Sequence, residues 1–80
     1  MYYVYLIKSI SLSDHAYVGY TSDLKQRLAT HNSGSCISTA NARPWKIDSY
    51  FAFSDVSKAK AFEKYLKSHA GRIFITKRLI

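Results

Sequence analysis

Tyr17-Val18-Gly19-Tyr20-Thr21-Ser22-Asp23-Leu24-Lys25-Gln26-Arg27-Leu28 places a strand, a cap and the start of a helix in immediate succession, and that succession decides the fold. Residues 16–20 read as the returning strand of a hairpin, with Gly19 leaving space where another backbone, side chain or ligand comes close. Thr21, Ser22 and Asp23 then offer side-chain oxygens to cap a helix and put negative charge at its start. The helix is expected over residues 22–33, stopped by Ser33-Gly34. At about 100° per residue, Leu24 and Leu28 define its buried stripe, and Arg27 and His31 fall on one flank of that stripe, aimed toward the sheet. An arginine aimed inward needs an anion or a carboxylate to meet it.

Upstream, residues 2–8 are β-branched and aromatic on both faces, Tyr3, Tyr5 and Ile7 alternating with Tyr2, Val4 and Leu6, as suits a central strand covered on two sides. Residues 9–15 are polar and turn-like. Downstream, a loop rich in Ser, Thr, Asn and Gly ends in Arg43-Pro44-Trp45 and leads into a third strand at 46–53, with Ile47, Phe51 and Phe53 on one face. Ser54-Asp55 caps a second helix, whose apolar positions Val56, Ala59, Phe62, Leu66 and Ala70 form one continuous stripe. Glu63 lies at the edge of that stripe beside Lys60, Lys64 and Lys67. After Gly71, residues 72–80 read as a short helix or an extended tail, with the helix favoured. The order strand, strand, helix, strand, helix, helix predicts a single α+β domain over residues 1–80, a small three-stranded antiparallel sheet flanked by helices.

Eighty residues bury only about 60% of the chain's surface on folding, but 48% are apolar and seven are Tyr, so a compact core is within reach. The single Cys36 has no thiol partner and no ligand spacing for zinc, which fits a reducing interior. There is no run of about 18 apolar residues and no basic segment leading into a long apolar one at the amino terminus. A cytoplasmic location without a membrane span is expected. Net charge is +7 and the pI near 9.7, with most of the basic excess after residue 43, a field that favours polyanions, nucleic acid first and anionic membrane surfaces second.

Cleaving a phosphodiester requires a deprotonated nucleophile, positive charge on the pentavalent phosphate and help for the departing oxygen. Arg27 offers a planar fork of donors to two phosphate oxygens. Glu63 is the only glutamate in the chain, and one carboxylate that leaves most of the coordination sphere to water and phosphate suits Mg²⁺. Tyr5 and Tyr17 can hydrogen-bond water or phosphate, and His31 can accept a proton from a phenol or give one to the leaving group. Each residue also has a plainer reading. The tyrosines suit a small sheet's core, Arg27 could pair with Asp23, His31 could simply end a helix, and Glu63 with Lys67 has the spacing of a surface ion pair.

Taken together, Tyr3-Val4-Tyr5, Tyr17-Val18-Gly19, the helix with Arg27 and His31, and the later Glu63 resemble the core motif of the GIY-YIG nucleases. The similarity extends through His31-Asn32-Ser33-Gly34, residues 39–45, Leu66-Lys67-Ser68 and Gly71-Arg72 to small stand-alone members related to the nuclease domain of the bacterial excision-repair (excinuclease ABC) incision protein. The resemblance implies that Tyr5 assists the attacking water, Tyr17 helps position it, Arg27 binds the scissile phosphate, His31 stands one turn later, and Glu63 binds the metal. Tyr3 replaces the Gly of the family name and Val18 replaces its Ile. The carboxy-terminal Asn of many active members has no counterpart here, since Asn occurs only at 32 and 41.

The expected function is a DNA endonuclease dependent on Mg²⁺ or Mn²⁺, acting in repair or recombination. Lys60, Lys64, Lys67, Arg72, Lys77 and Arg78 would track the phosphate backbone without reading bases. Selection of branched or flapped DNA, or guidance by a protein partner, is expected rather than a defined recognition sequence, with the protein a monomer. Two rival expectations share the fold: a catalytically weak nucleic-acid-binding module, and an interaction domain of a repair complex docking through Ile73, Phe74, Leu79 and Ile80.

Overall fold

In a computed structural model, which describes residues 1–12 and 14–79, strands β1 (Tyr2–Ser9), β2 (Ala16–Thr21) and β3 (Trp45–Phe53) and helices α1 (Leu24–Ser33), α2 (Val56–Leu66) and α3 (His69–Arg78) follow in the expected order. The sheet is antiparallel in the order β2-β1-β3. As its two-sided apolar pattern requires, β1 is central and divides two cores. Val4 and Leu6 face α2 and α3, where they pack with Val18, Ala59, Leu66 and Ile75. Tyr5 and Ile7 face α1 and meet Ala42 and Trp45, with Leu24, Leu28 and Ile47 half-buried at the margin.

Local signals at the helix ends act as read. Asp23 caps α1 by accepting from the Gln26 amide at 3.1 Å, and Gly34 ends it at φ 84°, a conformation that favours glycine. Asp55 caps α2, accepting from the Ser57 amide at 2.8 Å.

Three expectations are corrected. Ile47 does not share a face with Phe51 and Phe53: Leu6 pairs with Ser49 but Ile7 with Ile47, so Asp48 is an extra residue in β3. This bulge reverses the alternation, sending Trp45 and Ile47 to the α1 side while Phe51 and Phe53 meet Phe62 of α2, at ring separations of 4.8 and 5.6 Å. Nor does the α2 stripe reach Ala70. The helix ends at Leu66, Ser68 caps α3 by accepting from the Gly71 amide at 3.2 Å, and Ala70 is exposed in the new helix's first turn. Gly71 therefore opens α3 rather than closing α2. It allows the helices to cross closely, because a Cβ there would overlap the Tyr65 carbonyl and the Leu66 backbone. Finally, α3 begins three residues earlier than expected, and Ile80 lies outside the described residues.

Of the four apolar residues expected to form a docking surface, Ile73 is 44% exposed, while Phe74 and Leu79 pack against the core. No helix among the described residues is long and apolar enough to cross a membrane.

Candidate active site

Tyr5 stands opposite Gly19 in the β1–β2 register, and its ring lies across the space where a side chain at 19 would be. The room expected beside Gly19 is thus occupied by the chain's own phenol. That phenol is 2% exposed, and its oxygen lies 2.8 Å from His31 Nε2. His31, also 2% exposed, is the buried residue of α1. Its other ring nitrogen, Nδ1, lies 2.8 Å from Thr39 Oγ1. Tyr17 sets its ring edgewise to the same imidazole at 5.2 Å, so the two motif tyrosines bracket one histidine.

Arg27 and His31 both reach the sheet side of α1, as expected, but at different depths. Only His31 is buried; Arg27 is exposed and lines the mouth of a narrow crevice with Tyr5, Leu24, Leu28 and Ile47. Its charge still reaches the phenol. Burial pushes the Tyr5 pKa up to about 12, and the Arg27 guanidinium opposes that rise while Tyr17 adds to it. Burial first and Arg27 second hold the His31 pKa below its usual value, keeping the ring neutral near pH 7.

Glu63 approaches from the opposite side of the sheet. Its Oε2 accepts from Lys67 Nζ at 3.2 Å, the surface pairing that its spacing allowed, and Lys67 Nζ in turn sits 5.6 Å from the centre of the Tyr17 ring. Tyr5, Tyr17, Arg27 and His31 are therefore gathered on the α1 side, and Glu63 is linked to them through Lys67 and Tyr17. Among the described residues no group of three or more His, Cys, Asp and Glu side chains lies together, so a cation at Glu63 would depend on water or substrate oxygens for its other ligands.

Beside Tyr17, an open groove of about 470 Å³ runs between the β2 edge and α3, with Leu66 and Ile75 on its floor and Lys67 and Arg72 on its rim. Lys60, Lys64, Lys67, Arg72, Lys77 and Arg78 are all exposed. Lys60 lies over the Tyr20 ring at 5.9 Å. Lys77 and Arg78 occupy the last turn of α3, where the helix dipole favours cations whatever else they bind.

Two polar residues in the site's framework have no role that the sequence alone assigns. Asn32 clamps Trp45, accepting from its backbone N–H at 2.6 Å and donating to its carbonyl at 3.1 Å. Thr39 is 1% exposed, and its carbonyl accepts from Trp45 Nε1 at 2.9 Å. The available signal was a polar pair inside a segment that closes against a tryptophan, but its partners lie across a loop.

Known proteins share this sequence pattern. A UPF0213 protein of Streptococcus pyogenes serotype M3 is 34% identical over 71 residues, 88% of this chain and 75% of the relative. A UPF0213 protein of Streptococcus pneumoniae serotype 4 is 40% identical over 52 residues, 64% of this chain and 52% of the relative. The GIY-YIG catalytic domain model matches residues 1–77, and with these relatives it establishes that the chain belongs to the GIY-YIG nuclease family.

Proposed function

We propose that the protein is a divalent-metal-dependent DNA endonuclease, selective for DNA structure rather than sequence and acting on branched or flapped substrates in repair or recombination. The carrying observation is the Tyr5–His31 pair buried beneath an exposed Arg27, a proton-holding couple directly behind a phosphate-binding fork. Arg27 binds the scissile phosphate. Tyr17, half-buried at the groove, meets water or a phosphate oxygen, and Tyr5 takes the proton of the attacking water as it gives its own to His31, so the phenol stays neutral and the imidazole ends protonated. Lys60, Lys64, Lys67, Arg72, Lys77 and Arg78 hold the backbone on either side.

Glu63 would hold Mg²⁺ or Mn²⁺. The fit rests on its donor chemistry: a hard carboxylate, 25% exposed, whose ion-pair partner Lys67 is a flexible ammonium that is itself 49% exposed and readily displaced. When bound, the ion supplies charge to phosphate oxygens and lowers the pKa of its water.

The test is cleavage of single-stranded, duplex, flapped and four-way DNA with Mg²⁺, Mn²⁺ or chelator, beside Arg27→Ala and Glu63→Ala. Metal-dependent nicking of flapped or branched substrates, reduced on the order of a hundredfold or more in both variants, is expected. The proposal fails if no substrate is nicked, or if both variants match the parent. The Glu63–Lys67 pairing favours one second reading, a module that binds nucleic acid or joins a repair complex with little catalysis of its own. Salt-sensitive binding without cleavage, or cleavage only with an added partner, would identify it.

A further inference from the structure

Tyr5, His31 and Thr39 form a buried line of hydrogen-bonding groups that ends in backbone. Tyr5 Oη is 2.8 Å from His31 Nε2, His31 Nδ1 is 2.8 Å from Thr39 Oγ1, and Thr39 Oγ1 is 3.4 Å from the Cys36 carbonyl. Among the described residues, every buried side-chain nitrogen and oxygen has a partner. The protons can therefore be counted. A neutral imidazole carries one, and each hydroxyl carries one.

Two wirings satisfy both imidazole bonds. In the first, the phenol donates to Nε2, Nδ1–H donates to Thr39, and Thr39 donates to the Cys36 carbonyl, so each proton has an acceptor on the line. In the second, Thr39 donates to Nδ1 and Nε2–H donates to Tyr5. The Tyr5 proton must then leave the line on the side where Arg27 stands, and a guanidinium offers no acceptor. The first wiring is the satisfied one.

We propose that Thr39 is a positioning residue: its hydroxyl accepts the Nδ1 proton of His31, fixes the ring in the Nδ1–H tautomer, and so keeps the Nε2 lone pair turned to the Tyr5 hydroxyl. The hydrogen bond at one imidazole nitrogen sets the state of the other. Thr39 is itself held, its amide donating to the Cys36 carbonyl at 3.2 Å and its carbonyl accepting from Trp45 Nε1. Asn32, the residue after His31, clamps Trp45 in turn, so the ring and its orienting hydroxyl are tied to one tryptophan. The proposed use of this arrangement, drawing the Tyr5 proton inward, rests on the endonuclease reading; the tautomer does not.

Nitrogen NMR of the histidine rings tests it, with the His31 signals assigned by their loss in His31→Gln. The parent protein is expected to show His31 protonated at Nδ1 near neutral pH. Thr39→Val, which removes the hydroxyl at nearly constant shape, is expected to move the proton to Nε2 and to slow nicking by about tenfold to a hundredfold, the scale of losing a ring-orienting partner. Thr39→Ser should restore both. A parent ring protonated at Nε2 overturns the proposal, and so does a folded Thr39→Val that keeps the Nδ1–H pattern. Should Thr39→Val fail to fold, the parent's own tautomer together with Thr39→Ser decides. The expected ring pattern in a protein that cleaves nothing would remove the endonuclease reading and leave the placement of the proton standing.

Discussion

A methyl group added at Gly19 would overlap the Tyr5 phenol, so Gly19→Ala must push that ring away from His31 or open the β1–β2 pair. Overpacking of this kind costs about 1–3 kcal/mol. Urea unfolding of Gly19→Ala should show a loss of that size, and unchanged stability would mean that the ring has another place to go. The two buried titratable groups set the pH limits of the same site. Folding lowers the His31 pKa, so below about 6.5 the unfolded chain takes up a proton that the folded one refuses. Stability should therefore fall as pH drops below that value, with a shallower fall in His31→Gln. Folding raises the Tyr5 pKa to about 12, so its contribution is complete below pH 10 and is lost as pH rises from about 10 to about 12. Phenolate absorbance should show a late-titrating tyrosine that disappears in Tyr5→Phe.

Two short-range devices decide how elements meet. The bulge at Asp48 puts Trp45 and Ile47 in the α1 core while Phe51 and Phe53 remain in the α2 core. Deleting Asp48 would remove the bulge while leaving Ile7 opposite Ile47 and Leu6 opposite Ser49, so strict alternation would then keep Trp45 on the α1 side by itself. The variant is expected to keep cooperative unfolding and the emission of a buried indole for the chain's single Trp; emission shifted toward that of an exposed indole would show that the bulge itself seats Trp45. At the α2–α3 corner, Ser68→Ala removes a helix cap and should cost about 1 kcal/mol. Thermal unfolding checks this. The corner bears on the site because Lys67, between the two helices, reaches both Glu63 and Tyr17. Lys67→Ala is expected to leave stability nearly unchanged, since exposed ion pairs of this spacing contribute about 0.3–0.5 kcal/mol.

Over the whole molecule, the charge of +7 is spread across a body of only 30 × 27 × 17 Å, so much of the surface lies within a Debye length of any docked phosphate at low salt. Binding of DNA should weaken steeply with salt. Replacing Lys64 and Lys77 by Ala is expected to lower the slope of log affinity against log salt by about one for each phosphate no longer neutralised, equally for all sequences. Arg27→Ala should reduce cleavage far more than binding. An equal loss in both would assign Arg27 to general attraction.

The order of strands and helices, the caps at Asp23 and Asp55 and the stop at Gly34 were all legible in the chain, because each depends on residues within a turn or two of one another. The gathering of Tyr5, Tyr17 and His31 was legible only through the resemblance to the GIY-YIG motif. Ser68 carried a capping signal that the continuing apolar period of α2 concealed. The bulge at Asp48, the reach of Lys67 round the sheet edge and the seating of Thr39 behind His31 belong to the tertiary structure alone. Each is set by partners distant in sequence, as Tyr5 and His31 are at 26 positions, and no local periodicity records which buried hydroxyl will face which ring nitrogen.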